Sequence, residues 1–269
     1  MSRWIGLRGN HLHQDLIDLS TKRLIEYCGL GSKLMPTTKE SLVRNLLLEK
    51  VIIRSAGHLV KPSSFFPYSF EMTKKSLQNY FDFQSLIILV YHISGFTLLV
   101  DMISVILLEE TKKDIIILYG LANLSWISKL KKTWIQSDRL HFVLNDQNGL
   151  FSLRHSLRKG AIIIALIDIP QEEKSPSVLP INLMDHTIYF KTGILRLASR
   201  FNIPILPISH RFHNCYLACK MYAILRLSKE EFNDPEVLAY KLGTALQPLS
   251  AILCEYPTQW LLWHKLITR

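Results

Sequence analysis

Cysteine is scarce in this chain: four residues among 269, at positions 28, 215, 219 and 254. None stands in the close Cys/His spacing of a zinc site, so no metal is expected. The four read as reduced packing thiols of a cytoplasmic protein. Long apolar runs are missing too. The longest, Gly95 to Leu108, is broken by Asp101 and falls short of the ~18–20 residues a membrane span needs. Near the N-terminus Asp15, Asp18, Lys22 and Arg23 interrupt any apolar core, so no cleavable signal is expected. The expectation is a soluble, cytoplasmic protein, with peripheral contact at the inner membrane face as its only membrane association. Low-complexity tracts and internal repeats are absent. No zinc-finger or aromatic RNA-binding signature accompanies the basic residues, which argues against nucleic acid as a partner.

Apolar residues, by contrast, make up 48% of the chain, enough for one large α/β domain. The net charge is +10, which points to an acidic partner. Basic residues gather at Lys129-Leu130-Lys131-Lys132 and from Arg154 to Lys159.

The pattern along the chain is an alternation. Leu12, Leu16, Ile17, Leu19, Leu24, Ile25 and Leu30 fit a helical stripe. A second helix is expected from Thr37 or Thr38 through Leu47. Residues 57–80 read as mixed, with Pro62 and Pro67 marking loops around an aromatic cluster at Phe65, Phe66, Tyr68 and Phe70. Buried strands are then expected at 85–91, 114–120, 140–144, 161–168 and 203–210, with helices at 96–109, 151–159 and 192–201. A return strand within 216–227 and a helix over 234–251 follow. Continuous apolar strands alternating with helices indicate a mostly parallel, twisted central sheet flanked by helices. Residues 1–80 form a helical lead-in packed on the core, and 81–269 the α/β domain.

His92 draws the most attention. It ends the run Phe83 to Tyr91, at the carboxyl tip of a buried strand, where open α/β sheets carry their chemistry. A histidine there can act as a general base near neutral pH. Ser94 beside it has no G-x-S-x-G elbow and is not read as a nucleophile. Asp168 ends another strand, on the edge that should carry His92. Arg211 follows a third strand, where its planar fork suits a phosphate or an acidic carrier protein. Thr192 is placed to cap the helix after it, and Gly193 serves a tight turn or close packing. That helix start suits an anion.

The order of these pieces resembles a known family. His92 is followed by Gly95 and Phe96, then by Leu157-Arg158-Lys159-Gly160. The block Gly193, Ala198, Pro204, Pro207 comes next. Tyr256-Pro257-Thr258-Gln259-Trp260 with His264-Lys265 lies near the C-terminus and is the most specific part. Over roughly residues 80–269 the chain is similar to the lysophospholipid-acyltransferase-like superfamily, in particular the late (lauroyl/myristoyl) acyltransferases of lipid A biosynthesis.

The resemblance implies a glycerolipid-acyltransferase-like fold and transfer of an acyl group to an amine or hydroxyl. The donor would be the phosphopantetheine thioester of an acyl or peptidyl carrier protein, or a CoA thioester, with no bound cofactor. Ser94, Gly95, Thr192, Gly193 and Arg211 would then line the substrate. The apolar residues at 65–70 and 96–106 would form either core or an acyl tunnel.

The family's hallmark is His-x4-Asp/Glu. His92 matches; the carboxylate position holds Thr97. A threonine can hold an imidazole tautomer but offers no negative charge. Three readings follow. Asp101, one turn beyond Thr97, or Asp168 supplies the acid. Or the acceptor is an amine that needs little base help. Or catalysis is lost and the chain only binds acyl or carrier-protein ligands. Family members acting on lipid A usually have the complete motif and an N-terminal membrane segment. A soluble acceptor in a specialised pathway is therefore expected, with lipid A or lysophospholipid at the membrane surface as the alternative.

Overall fold

The computed structural model describes residues 11–28, 38–47, 66–120, 138–144, 147–184, 186–213 and 216–266. Strands β1 (Leu86–Val90), β2 (Ile115–Tyr119), β3 (Leu140–Leu144), β4 (Ile162–Leu166), β8 (Ile205–His213) and β9 (Tyr216–Met221) build one sheet, ordered β3-β2-β4-β1-β8-β9. All neighbours pair in parallel except the β8–β9 hairpin, which is antiparallel. Residues Leu86-Ile87-Ile88-Leu89-Val90 and Ile162-Ile163-Ile164 are buried on both faces of the sheet, which is why they read as unbroken apolar runs.

Each face carries its own core. On one side Ile87, Leu89, Tyr91, Ile163 and Ile205 pack with helices α1 (His11–Cys28), α2 (38–47), α5 (Gln147–Arg158), α6 (Gly193–Phe201) and α8 (Pro235–Glu255). On the other, Ile88, Val90, Ile164, Leu206 and Ile208 pack with α3 (Pro67–Leu77) and α4 (Phe96–Glu110). The short helix α7 (Lys229–Asn233) leads into α8 through a capping box on Ser228 and Glu231. The lead-in helices join the first core through Leu24 and Leu42, although Leu19 of the expected stripe is exposed.

Two stretches differ from the sequence reading. Pro67 does not end in a loop; it opens α3 at the first helical position, where its missing N–H costs nothing. And 170–191 forms a second, three-stranded antiparallel sheet, ordered β5 (Pro170–Gln171), β7 (His186–Lys191), β6 (Val178–Leu183). Its inward residues Ile181, Leu183, Ile188 and Phe190 close the first core. The basic run at 129–132, Phe65, Cys215 and the side chain of Cys28 lie outside the described residues. Cys219 and Cys254 are free thiols.

The connections set up the site. From β1 the chain crosses through α4, on one face, to β2. From the adjacent β4 it crosses through the small sheet and α6, on the opposite face, to β8. Neighbouring strands whose connections leave to opposite faces open a crevice at their carboxyl ends. His92 and Asp168 follow these two strands.

Candidate active site

The register of β1 on β4 carries His92 and Asp168 to the same sheet edge. There Nδ1 of His92 lies 2.8 Å from Asp168 Oδ1. A carboxylate only accepts, so Nδ1 carries the hydrogen and Nε2 holds the free lone pair. The other oxygen, Asp168 Oδ2, accepts two further N–H bonds at 2.8 Å, from the backbone of His92 and from the indole of Trp260. Asp168 is fully buried and His92 nearly so, with Phe96 packed 5.1 Å from the imidazole, centre to centre. Three bonds on one carboxylate, in a dry setting, fix its position and thereby the imidazole plane.

Of the two carboxylates considered from sequence, the geometry brings in Asp168 and leaves Asp101 out. Asp101 is buried on α4, no hydrogen bond joins it to His92, and its Oδ2 has no partner among the described residues. Burial raises its pKa well above the usual carboxylate range, which disfavours the charged form. A neutral acid cannot supply the charge a developing imidazolium needs. Thr97, at the motif's carboxylate position, is buried in the first turn of α4, and the bond on Nδ1 is made by Asp168.

The loop after His92 is pinned from the C-terminal segment. Ser94 N–H donates to Gln259 O, Leu261 N–H donates to His92 O, and Ile93 bridges Trp260. Gln259 also brackets Phe212, accepting its N–H at 3.2 Å and donating to its carbonyl at 3.1 Å. The element Pro257–Gln259–Trp260 is the part of the chain that carries the resemblance most specifically. It packs, with Trp260 and Trp263 edge to face at 5.0 Å, and its indole also holds the site carboxylate. The motif was visible in sequence; that role for the tryptophan was not.

His210 was also missed, because it reads as a plain strand residue. It is fully buried, with Nε2 3.2 Å from the Ser94 carbonyl. Donation to a carbonyl places its hydrogen on Nε2. Burial pushes its pKa down to about 4, against weaker upward pulls from the Ile93 and Ser94 backbone and Asp168, so it is neutral at physiological pH. His264 is likewise lowered, by burial first and then by Lys265 and His92.

The residues expected at the substrate divide. Gly95 turns the chain at φ +85°, leading β1 into α4, and a Cβ there would lie 3.3 Å from Phe212. Ser94, expected to line the substrate, is fully buried, and its backbone ties the loop to Gln259 and His210. Thr192 is buried and its hydroxyl donates to Ser177 O, without capping α6. Gly193 faces open space, with no atom within 4 Å of where a Cβ would lie, so close packing is not its reason. Both sit at the end of the small sheet. Arg211 does not follow its strand as expected but lies within β8, which runs on to His213 as the hairpin with β9; it is exposed and donates to Tyr256 Oη at 2.6 Å.

Searches of this sequence against family models and against curated proteins find no match.

Proposed function

We propose that the chain is an acyltransferase that moves an acyl group from a phosphopantetheine thioester to an amine or hydroxyl, with His92 as general base. The observation that carries this reading is the His92–Asp168 bond, with Asp168 braced by Trp260. That arrangement supplies the carboxylate which Thr97 lacks. It fits the chemistry that the resemblance implies, which needs a charged partner on the imidazole, although the carboxylate comes from outside the His-x4 position.

In this reading the acceptor X–H attacks the thioester carbonyl while Nε2 of His92 takes its proton. Asp168 orients the ring and stabilises the imidazolium, in the manner of a catalytic triad. The tetrahedral intermediate then collapses. The C–S bond breaks, the new acyl–X bond remains, and His92 returns the proton to the departing thiolate. Atoms balance: acyl thioester and X–H give acyl–X and free thiol.

The donor is a carrier protein or CoA, and the net charge of +10 fits an acidic carrier. A cytoplasmic setting, with peripheral contact at the inner membrane face, suits such a donor. A single helix among the described residues, Pro235–Glu255, is long and apolar enough to cross a membrane. Its apolar side, from Leu238 to Leu253, packs into the core.

The test is thiol release from acyl-carrier-protein and acyl-CoA donors, offered amine and hydroxyl acceptors, by wild type and His92→Ala. Turnover that disappears with His92 is expected. Equal turnover in both forms overturns the reading. Absence of turnover with carrier binding intact also overturns it, in favour of a non-catalytic carrier-binding protein.

A further inference from the structure

We propose that the groove between the β8–β9 hairpin and the C-terminal turns of α8 is a binding site for a phosphate ester. It is about 310 Å³ in volume, open to solvent on one side and backed by Ala251 and Ile252 of α8. Alternation along the hairpin sends Ser209, Arg211, Lys220 and Tyr222 to this face, since Ser209 pairs with Lys220 and Arg211 with Ala218. Tyr256, just past α8, completes the lining together with Glu255.

The donors are arranged around one another. Arg211 donates to Tyr256 Oη at 2.6 Å, with its guanidinium carbon 5.6 Å from the ring centre. Lys220 Nζ lies 5.0 Å from the ring centre of Tyr222, whose hydroxyl accepts from Ser209 at 3.3 Å. Each phenol thus accepts one bond and keeps its own O–H to donate. The groove offers a planar guanidinium fork, an ammonium and two phenol hydrogens, against one carboxylate, Glu255. A doubly or singly charged tetrahedral anion fits that set. Stacking on the tyrosine rings also holds both cations within the groove.

The position connects the groove to the His92 site. His210, between Ser209 and Arg211, turns to the other face of the sheet and holds the Ser94 carbonyl. Tyr256 is followed by the segment whose indole holds Asp168. A thioester anchored here by its phosphate enters the catalytic edge from the β8 side. Assignment of the ester to the donor's arm rests on the acyl-transfer reading; the anion site itself does not.

Calorimetric titration of the full chain with 4′-phosphopantetheine and with pantetheine tests this. The phosphorylated compound is expected to bind at least about tenfold more tightly, the worth of one charge-assisted bond. Arg211→Ala and Lys220→Ala should each remove most of that advantage, His92→Ala should leave it, and Glu255→Gln should increase it. Vesicles of phosphatidylglycerol form a parallel arm. Retention that depends on Lys220 and Arg211, without a phosphopantetheine preference, keeps the phosphate site and moves its ester to a lipid headgroup. Equal affinity for both pantetheines with no such retention, or a preference unchanged in both variants, overturns the proposal. Turnover is read separately. His92-dependent thiol release with no phosphate effect removes the groove and leaves the reaction, and phosphate binding without turnover does the reverse.

Discussion

Replacing Asp168 by asparagine should abolish the base without dismantling the fold. The side chains are nearly isosteric, and the difference lies in which bonds each atom can make. Oδ2 accepts from two buried donors, the His92 backbone N–H and the Trp260 indole. An asparagine must keep its oxygen on those donors. Turning the amide round would oppose N–H to N–H twice, at about 1–3 kcal/mol for each donor left unpaired. The amide NH₂ therefore faces Nδ1 of His92, where a carboxylate oxygen now sits 2.8 Å away. Nδ1 has to become the acceptor and the hydrogen moves to Nε2. An imidazole with its hydrogen on Nε2 cannot take a proton from the acceptor. The equivalent change in a catalytic triad lowers turnover about 10⁴-fold, which corresponds to roughly 5 kcal/mol. Stability should fall much less, by about 2 kcal/mol at most, because the two N–H bonds survive. Asp168→Ala should lose the same activity and also several kcal/mol of unfolding free energy, with both donors orphaned. Saturating thiol-release rates and urea unfolding read the two quantities. If Asp168→Asn turns over within tenfold of wild type, His92 does not need its carboxylate and the argument fails.

Three further outcomes are expected. Asp101 has its folded pKa raised by burial, so the unfolded chain releases this proton first. Its contribution to stability is complete at acid pH and is lost as pH climbs above the usual carboxylate range. Asp101→Asn should therefore gain on wild type in urea unfolding as pH rises from about 4; a constant difference refutes this. His210 has its folded pKa lowered to about 4, so the sign is opposite. Stability should fall by roughly 3 kcal/mol as pH drops from about 6.5 to about 4. His210→Gln, which can still donate to Ser94, should remove that slope in acid titrations followed by circular dichroism. Gly95→Ala forces a side chain into φ +85° and against Phe212. It should cost at least about 1–2 kcal/mol of unfolding free energy, and an unchanged denaturation midpoint would show that the turn relaxes freely.

Much of this architecture can be read from the chain because each element carries a local signature. Ile162-Ile163-Ile164 and Leu86 to Val90 are apolar without interruption because both faces of the sheet are covered. His92 and Asp168 could be placed on one edge because parallel strands share their direction. What sequence could not choose was between Asp101 and Asp168. Helical spacing favoured Asp101 as much as strand position favoured Asp168, and only the β1–β4 pairing decides it. The small sheet over 170–191 was hidden for another reason: β5 has two residues and β6 contains Pro180, so its strand signal is weak. Pro67 was misread because proline breaks a helix inside it yet starts one at its first position. The roles of Trp260 and His210 depend on contacts between segments far apart in the chain, which no local window contains.

The brace from the C-terminal segment has a consequence for synthesis. Leu261 holds His92, Gln259 holds Ser94 and Trp260 holds Asp168. While the chain is still being made, the strand bearing His92 has long since left the ribosome and its brace has not. A nascent chain can build β1 through β4 and still lack the brace that orients Asp168. The brace therefore forms as a single closing event between β1 and the segment 259–261, far apart in sequence. Closures of that range are among the slower steps in folding. The His92–Asp168 pair is in effect left unbraced until that segment docks, and any cut that frees Trp260 should return it to that state.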